Sequence, residues 1–221
     1  MKAAIKTLVA HRWTPLLAAA LVSWMSLAGF WELAGDYATS EEVFLFDADV
    51  SAAIQSLRGE PLTQFVRAAT VTGDTIVVVT VTLGIVAWLW RQRHDFALLA
   101  GTAVAGGALI SAVLKDRFGR IRPPVDNALI SLPTSFSFPS GHALVSLCLA
   151  MVGGYLVLRS RMSWPAKAAA AGVLALWVLL VGLSRIYLGV HWPSDVISSW
   201  LLGVAWLSAV IGVNETRRRR R

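Results

Sequence analysis

Six windows of about 20 predominantly apolar residues run through this chain, at 15–33, 65–90, 96–114, 142–158, 166–183 and 195–213. A helix needs a run of that length to cross the hydrocarbon core of a bilayer. The sequence therefore predicts an all-α, polytopic membrane protein: six transmembrane helices in a bundle, forming one membrane domain over 1–221. A mean hydropathy of +0.63 with 15% charged residues fits that class and excludes an ordinary soluble domain.

Six crossings put both termini on one side, and the excess of Lys and Arg in short connections marks the cytoplasmic side. One set of connections holds Lys2, Lys6, Arg12, Arg91, Arg93, Arg159, Arg161, Lys167 and the five arginines from Arg217 to Arg221. The other holds Arg58, Arg67, Lys115, Arg117, Arg120, Arg122 and Arg185, diluted by Glu32, Asp36, Glu41, Glu42, Asp47, Asp49 and Glu60. Both termini are expected in the cytoplasm. The loops from 115 to 139 and from 184 to 195 then face outward, which in a bacterial inner membrane means the periplasm. The net charge of +7 does not point to nucleic acid, because five of the 20 basic residues form the tail and the other 15 face 13 acidic ones. The tail reads as a cytoplasmic flank beside anionic membrane lipid.

The basic start followed by an apolar run also has the outline of a signal peptide. Its apolar run is long for that role and "SLAGFWEL" offers no clean small-x-small cleavage site, so the first window is expected to stay as a span. In the periplasmic segment 35–60, Val50, Ala53, Ile54 and Leu57 recur at helical spacing, which suggests a short amphipathic helix on the outer leaflet or else a solvated linker. Cys148 is the sole cysteine, lies in an apolar run and is expected to be core packing. Trp13, Trp88, Trp90, Trp164 and Trp192 fall near span boundaries, as an interfacial belt does. The four histidines accompany no HExxH, no paired CxxC and no carboxylate cluster, so neither a catalytic metal nor a cofactor is expected.

Three polar clusters lie on the predicted outer face: "KDRFGRIRP" from Lys115, "PSGH" from Pro139, and "SRIYLGVHWPSD" from Ser184 to Asp195. Lys115, Arg122 and Arg185 supply three cations, and a guanidinium fork matches phosphate oxygens in a way a lone ammonium does not. Ser140 and Gly141 would open a span, where free N–H groups and the helix dipole favour an anion, although an ordinary helix cap has the same outline. His191 and Asp195 stand four apart around Pro193, a plausible first helical residue. A carboxylate there can fix one imidazole nitrogen and leave the other's lone pair for a substrate. Arg117 and Arg120 read as headgroup contacts or solvated surface, and Asp74 as either a cavity acid or a helix cap.

Lys115 with Arg122-Pro123, Pro139-Ser140-Gly141-His142, and Ser184-Arg185 with His191 and Asp195 resemble the complete three-part signature of the type 2 phosphatidic acid phosphatase (PAP2) family, without a departure at any position. The signature covers Lys115 to Asp195, and the six-span layout resembles the family's membrane branch over nearly the whole chain. The resemblance implies a metal-independent phosphatase in which His191 attacks phosphorus and forms a phosphohistidine, Asp195 holds its ring, and His142 protonates the leaving oxygen and then activates water. Lys115, Arg122, Ser140, Gly141 and Arg185 would bind the phosphoryl oxygens. The implied partner is a phosphorylated lipid: undecaprenyl diphosphate, phosphatidylglycerol phosphate, phosphatidic acid or a lipid A phosphate. A lipid phosphotransferase with the same site, or a headgroup binder or transporter without catalysis, are the alternatives. The vanadate-dependent haloperoxidases share the signature but are soluble.

Overall fold

The computed structural model describes the backbone of residues 2–36 and 41–220, and side chains at 14, 16–35 and 45–219. The side chains of Lys2, Lys6, Arg12, Trp13, Asp36, Glu41, Glu42, Arg220 and Arg221, which enter the charge count and the aromatic belt, lie outside the described residues. Among the described residues there are eight α-helices and no strand. They are α1 (Lys2–Asp36), α2 (Glu41–Gln55), α3 (Glu60–Thr72), α4 (Thr75–Trp90), α5 (His94–Phe118), α6 (Gly141–Arg159), α7 (Trp164–Tyr187) and α8 (Pro193–Arg220). Five carry a stretch long and apolar enough to cross a membrane: Leu16–Gly35, His94–Phe118, Gly141–Arg159, Trp164–Tyr187 and Pro193–Arg219. Counted as one broken span, the bent pair α3 and α4 makes a sixth.

That pair corrects the expected span at 65–90, which is not one helix but two meeting at 47°. Asp74 causes the break. Its Oδ1 accepts the Ile76 N–H at 2.8 Å and starts α4 afresh as an N-cap. Gly73 lets α7 approach the joint, because an added Cβ would fall 2.2 Å from Val181 Cγ1. Trp177 on α7 donates to Thr72 Oγ1 at 2.8 Å and ties the joint down.

Segment 35–60 forms a helix, α2, one of the two outcomes expected there. Among its described residues Asp47 and Ser51 are buried, Val50 and Ile54 are half-buried and Ala53 is exposed, as is Leu57 beyond its end. Asp47 accepts both the Ser194 N–H at 2.8 Å and the Ser194 hydroxyl at 2.7 Å, so polar pairing with the start of α8 sets the face that α2 buries.

The core runs between α1, α4, α5, α6 and α8 through Phe30, Val78, Leu99, Ala103, Leu144 and Leu207, with Cys148 buried inside it. Near one end Phe30, Phe118 and Phe138 stack together, which anchors the connection from α5 to α6 against the bundle. Midway along α8, Trp206 donates from Nε1 to the Ala103 carbonyl at 3.0 Å.

Candidate active site

The polar residues gather where α5 and α7 end and α6 and α8 begin, beside the α3/α4 joint. Part of what hydropathy assigned to loops is helical: Lys115 sits in the last turn of α5 and Arg185 in the last turn of α7. Cations there complement the helix dipoles. Only residues 188–192 connect α7 to α8. Gly189 makes the turn in the left-handed region, at φ +73°, and a Cβ there would lie 2.1 Å from the Asn127 carbonyl oxygen. Arg58 Nη2 clamps the same place, donating to Asn127 O at 2.8 Å and Tyr187 O at 2.7 Å. Pro193 opens α8, and the turn delivers His191 into the interior.

His191 Nδ1 lies 3.2 Å from Asp195 Oδ2. That carboxylate is held from several sides: Oδ2 also accepts the Trp192 N–H at 2.9 Å and the Ser137 hydroxyl, and Oδ1 accepts Arg120 Nη1 at 2.5 Å. The other arm of Arg120 reaches Asp47 Oδ2 at 2.6 Å. Arg120 is therefore no solvated headgroup contact. It is a nearly buried bridge between two buried carboxylates, because only a fork can serve both at once. Arg117, by contrast, is exposed as expected.

Arg122 and Arg185 act on the imidazole directly, and Lys115 joins them as a third cation of the site. Arg122 donates from Nε to Ser135 O at 2.9 Å and from Nη1 to Val190 O at 2.7 Å, and Nη1 also lies 3.2 Å from His191 Nε2. Lys115 Nζ donates to Phe136 O at 2.5 Å. Arg185 is 2% exposed and donates from Nη1 to Thr70 Oγ1 at 2.7 Å, but its buried Nε has no hydrogen-bond partner. Lys115, Arg122 and Arg185 lie within electrostatic range of one another and of His142.

Ser140 occupies the N-cap position of α6, yet its hydroxyl makes no capping bond and is buried without a partner. Its N–H donates to Ser199 Oγ at 2.7 Å. Gly141 and His142 follow in the first turn of α6, and His142 Nε2 stands 3.6 Å from Asp74 Oδ2. Asp74 thus does both things the sequence allowed, capping α4 with one oxygen and facing a site histidine with the other.

Burial pushes the His191 imidazole down from 6.5 to about 3, with Arg122 and Arg185 acting in the same direction and the Asp195 hydrogen bond and charge opposing. At neutral pH the ring is uncharged, Nδ1–H belongs to Asp195, and the Nε2 lone pair points among the cations. Burial also lowers Arg122, which stays charged all the same. Next to this centre a groove of about 180 Å³ opens between α4, α5 and α6, with Lys115 and Gly141 at its polar head and Ala108, Ala112 and Val145 along its apolar side. Among the described residues no three His, Cys, Asp or Glu side chains assemble as a metal ligand set.

All eight residues singled out from the sequence converge here. Asp47, Arg120, Ser137 and Thr70 were missed as parts of it. Each joins a partner 58 to 147 positions away, a separation at which local spacing carries no signal; Arg120 at least lay inside a polar cluster.

A polytopic helical bundle whose helix ends gather a buried imidazole–carboxylate pair and three cations has the build of an integral membrane phosphatase. A profile of the PAP2 superfamily matches residues 96–219, and the chain belongs to that family, in its membrane lipid phosphatase branch. It is 35% identical over 143 residues to phosphatidylglycerophosphatase B of Bacillus subtilis, covering 63% of this chain and 68% of that protein. It is 40% identical over 82 residues to an undecaprenyl-diphosphatase of Sulfolobus acidocaldarius, covering 34% of this chain and 32% of that one. The crystal structure of the transmembrane PAP2-type phosphatidylglycerolphosphate phosphatase from Bacillus subtilis superimposes with a TM-score of 0.80 at 28% identity, over 90% of this chain and 98% of that one. These relatives and the apolar helices identify a bacterial integral membrane protein.

Proposed function

We propose that the protein is a lipid phosphate phosphatase of the bacterial inner membrane, a single membrane domain with both termini in the cytoplasm and its site facing the periplasm. One observation carries the reading. Two buried donors, Ser140 Oγ and Arg185 Nε, have no protein partner and belong to a site that also holds Lys115, Arg122 and an uncharged imidazole. Buried donors are ordinarily satisfied, and a tetrahedral phosphoryl group satisfies these.

In this reading His191 Nε2 gives its lone pair to phosphorus, the P–N bond forms and the P–O bond to the lipid breaks. His142 gives its proton to the departing oxygen. A water then attacks the phosphohistidine, His142 takes the water's proton, the P–N bond breaks and inorganic phosphate leaves. Lys115, Arg122, Arg185, Ser140 Oγ and the Gly141 N–H hold the phosphoryl oxygens as charge redistributes, and the N-terminus of α6 adds its dipole. Asp195 supports the positive charge on the His191 ring and Asp74 that on His142. No step asks for a metal.

The substrate classes that fit are those named for the relatives, phosphatidylglycerol phosphate and undecaprenyl diphosphate, together with phosphatidic acid and lipid A phosphates. All share the phosphoryl group that the cations bind. The test is a panel of these lipids assayed for phosphate release in nanodiscs with EDTA and no acceptor lipid. Release by the wild type, with a phosphoenzyme that is acid-labile and alkali-stable, supports hydrolysis through His191. Phosphate release that needs a second lipid would replace this reading with phosphotransfer.

Two variants probe the parts. Asp74→Asn keeps the α4 cap, since Asn caps as well as Asp, but removes the charge facing His142. It is expected to lower kcat about tenfold or more with KM little changed, and Asp74→Glu to recover part of it; a fall confined to KM would remove Asp74 from this role. Ala112→Trp fills the groove. Turnover of a long-chain lipid phosphate should drop while that of a short water-soluble phosphate ester persists, and equal losses for both would place the lipid tail elsewhere.

A further inference from the structure

The far end of the bundle holds a second cavity that phosphoryl transfer does not use. It lies between α5 and α8 and measures about 430 Å³, with Leu98 and Val210 on its apolar walls, Trp206 as its floor, and Arg217 and Arg218 at its rim. Along α8, Arg217 is 22 residues beyond Asp195, about 33 Å at 1.5 Å per residue. The floor is rigid. Trp206 donates to the Ala103 carbonyl at 3.0 Å, and its ring fills the space over Gly106, where an added Cβ would fall 2.3 Å from the ring.

The rim is charged and incompletely satisfied. Arg218 places its guanidinium 4.7 Å from the Phe96 ring centroid and Arg93 places its own 5.0 Å from the same centroid, so two like charges share one ring. Arg218 Nη1 is buried with no hydrogen-bond partner. The acids nearby are already engaged: Glu215 accepts the Tyr155 hydroxyl and pairs with Arg159 at 3.5 Å, and Asp95 on the cavity wall has partners of its own. A buried cationic donor without a partner is costly, and an anion held by Arg218 at the rim supplies what the protein does not.

We infer that this cavity binds one anionic phospholipid of the leaflet opposite the phosphoryl site, its phosphodiester on Arg217 and Arg218 and an acyl chain along Leu98 and Val210. The chemistry favours a lipid over a free phosphate because most of the wall is apolar and Leu98 is 54% exposed on the face that meets the bilayer. It favours an anionic lipid over a zwitterionic one because the rim offers two cations and its acids are taken. The site stands apart from the phosphatase reading and does not depend on it.

The test is thermal unfolding of the full-length protein in detergent with phosphatidylglycerol, phosphatidylcholine or sn-glycerol 3-phosphate, together with lipid binding followed by native mass spectrometry. Phosphatidylglycerol should raise the midpoint more than phosphatidylcholine, in the wild type and equally in Arg122→Ala, whose phosphoryl site is impaired. The doubly substituted R217Q/R218Q protein should bind phosphatidylglycerol about tenfold or more weakly. Ala209→Trp, which fills the cavity from an exposed position, should lose the added stabilisation with both arginines in place. Equal midpoints for the two lipids, retention of the difference in both cavity variants, its loss in Arg122→Ala, or an equal shift from sn-glycerol 3-phosphate alone would each overturn the inference.

Discussion

Replacing His191 with alanine is expected to stop phosphate release, with a loss on the order of 10⁴-fold or more, because in the proposed mechanism it removes the nucleophile that forms the covalent intermediate. The protein around it should stay intact. Asp195 keeps the donors from Trp192, Ser137 and Arg120, so deleting the imidazole leaves no carboxylate without a partner. A binder or transporter that merely grips headgroups would retain lipid binding and show the same function without His191. The decisive comparison is with His142→Ala on a lipid diphosphate, whose phosphate leaving group needs little protonation, so that the variant keeps attack on phosphorus and loses mainly the base for hydrolysis. Label from a phosphorylated lipid should therefore accumulate on His142→Ala and be absent from His191→Ala. Label on a His191→Ala protein, or turnover within tenfold of wild type, would dismiss His191 as the nucleophile.

Arg120→Ala should be among the most destabilising single substitutions in the chain. Asp47 is 1% exposed and Asp195 not exposed at all, and Arg120 is the cation that both face. Removing one partner of a buried ion pair costs about 3–5 kcal/mol, here with two carboxylates affected. Thermal unfolding in detergent should show a large drop in midpoint. Turnover measured well below that midpoint should also fall, since only Ser194 still ties α2 to α8 and Asp195 loses a donor that fixes its plane. Arg120→Lys should recover little, because one ammonium cannot reach both carboxylates as the fork does. Arg120→Ala with Asp47→Asn should regain part of the stability, since one buried charge is gone; no recovery in that double variant would mean that Asp47 is not the group left stranded.

Much of the architecture could be read from hydropathy, since the thickness of a bilayer imposes helix length directly. What hydropathy averages away is a break inside an apolar window. The pair Gly73-Asp74 has the form of a helix stop followed by a cap, which is the local chemistry that divides α3 from α4. The polar face of α2 was hidden for a different reason. The spacing of Val50, Ala53, Ile54 and Leu57 suggested a helix but not what holds it, since hydrogen bonds from Ser194 and Arg120 turn Asp47 inward, and no local pattern announces partners so distant in sequence. In the site itself, His191 and Asp195 lie one helical turn apart, and Ser140 with Gly141 opens a helix, so those groupings were legible. The bridge through Arg120 and the anchoring of Arg185 by Thr70 exist only after the helices have packed.

The contact between Arg122 and His191 Nε2 has a consequence for the resting protein. In the proposed mechanism that lone pair is the attacking one, and a guanidinium caps it at rest. A phosphate that took the arm onto its own oxygens would uncork the ring in the same movement. Delivery of the correct chemical group and arming of the catalyst would then be one event, and a molecule with no negative charge to offer would leave the safety on.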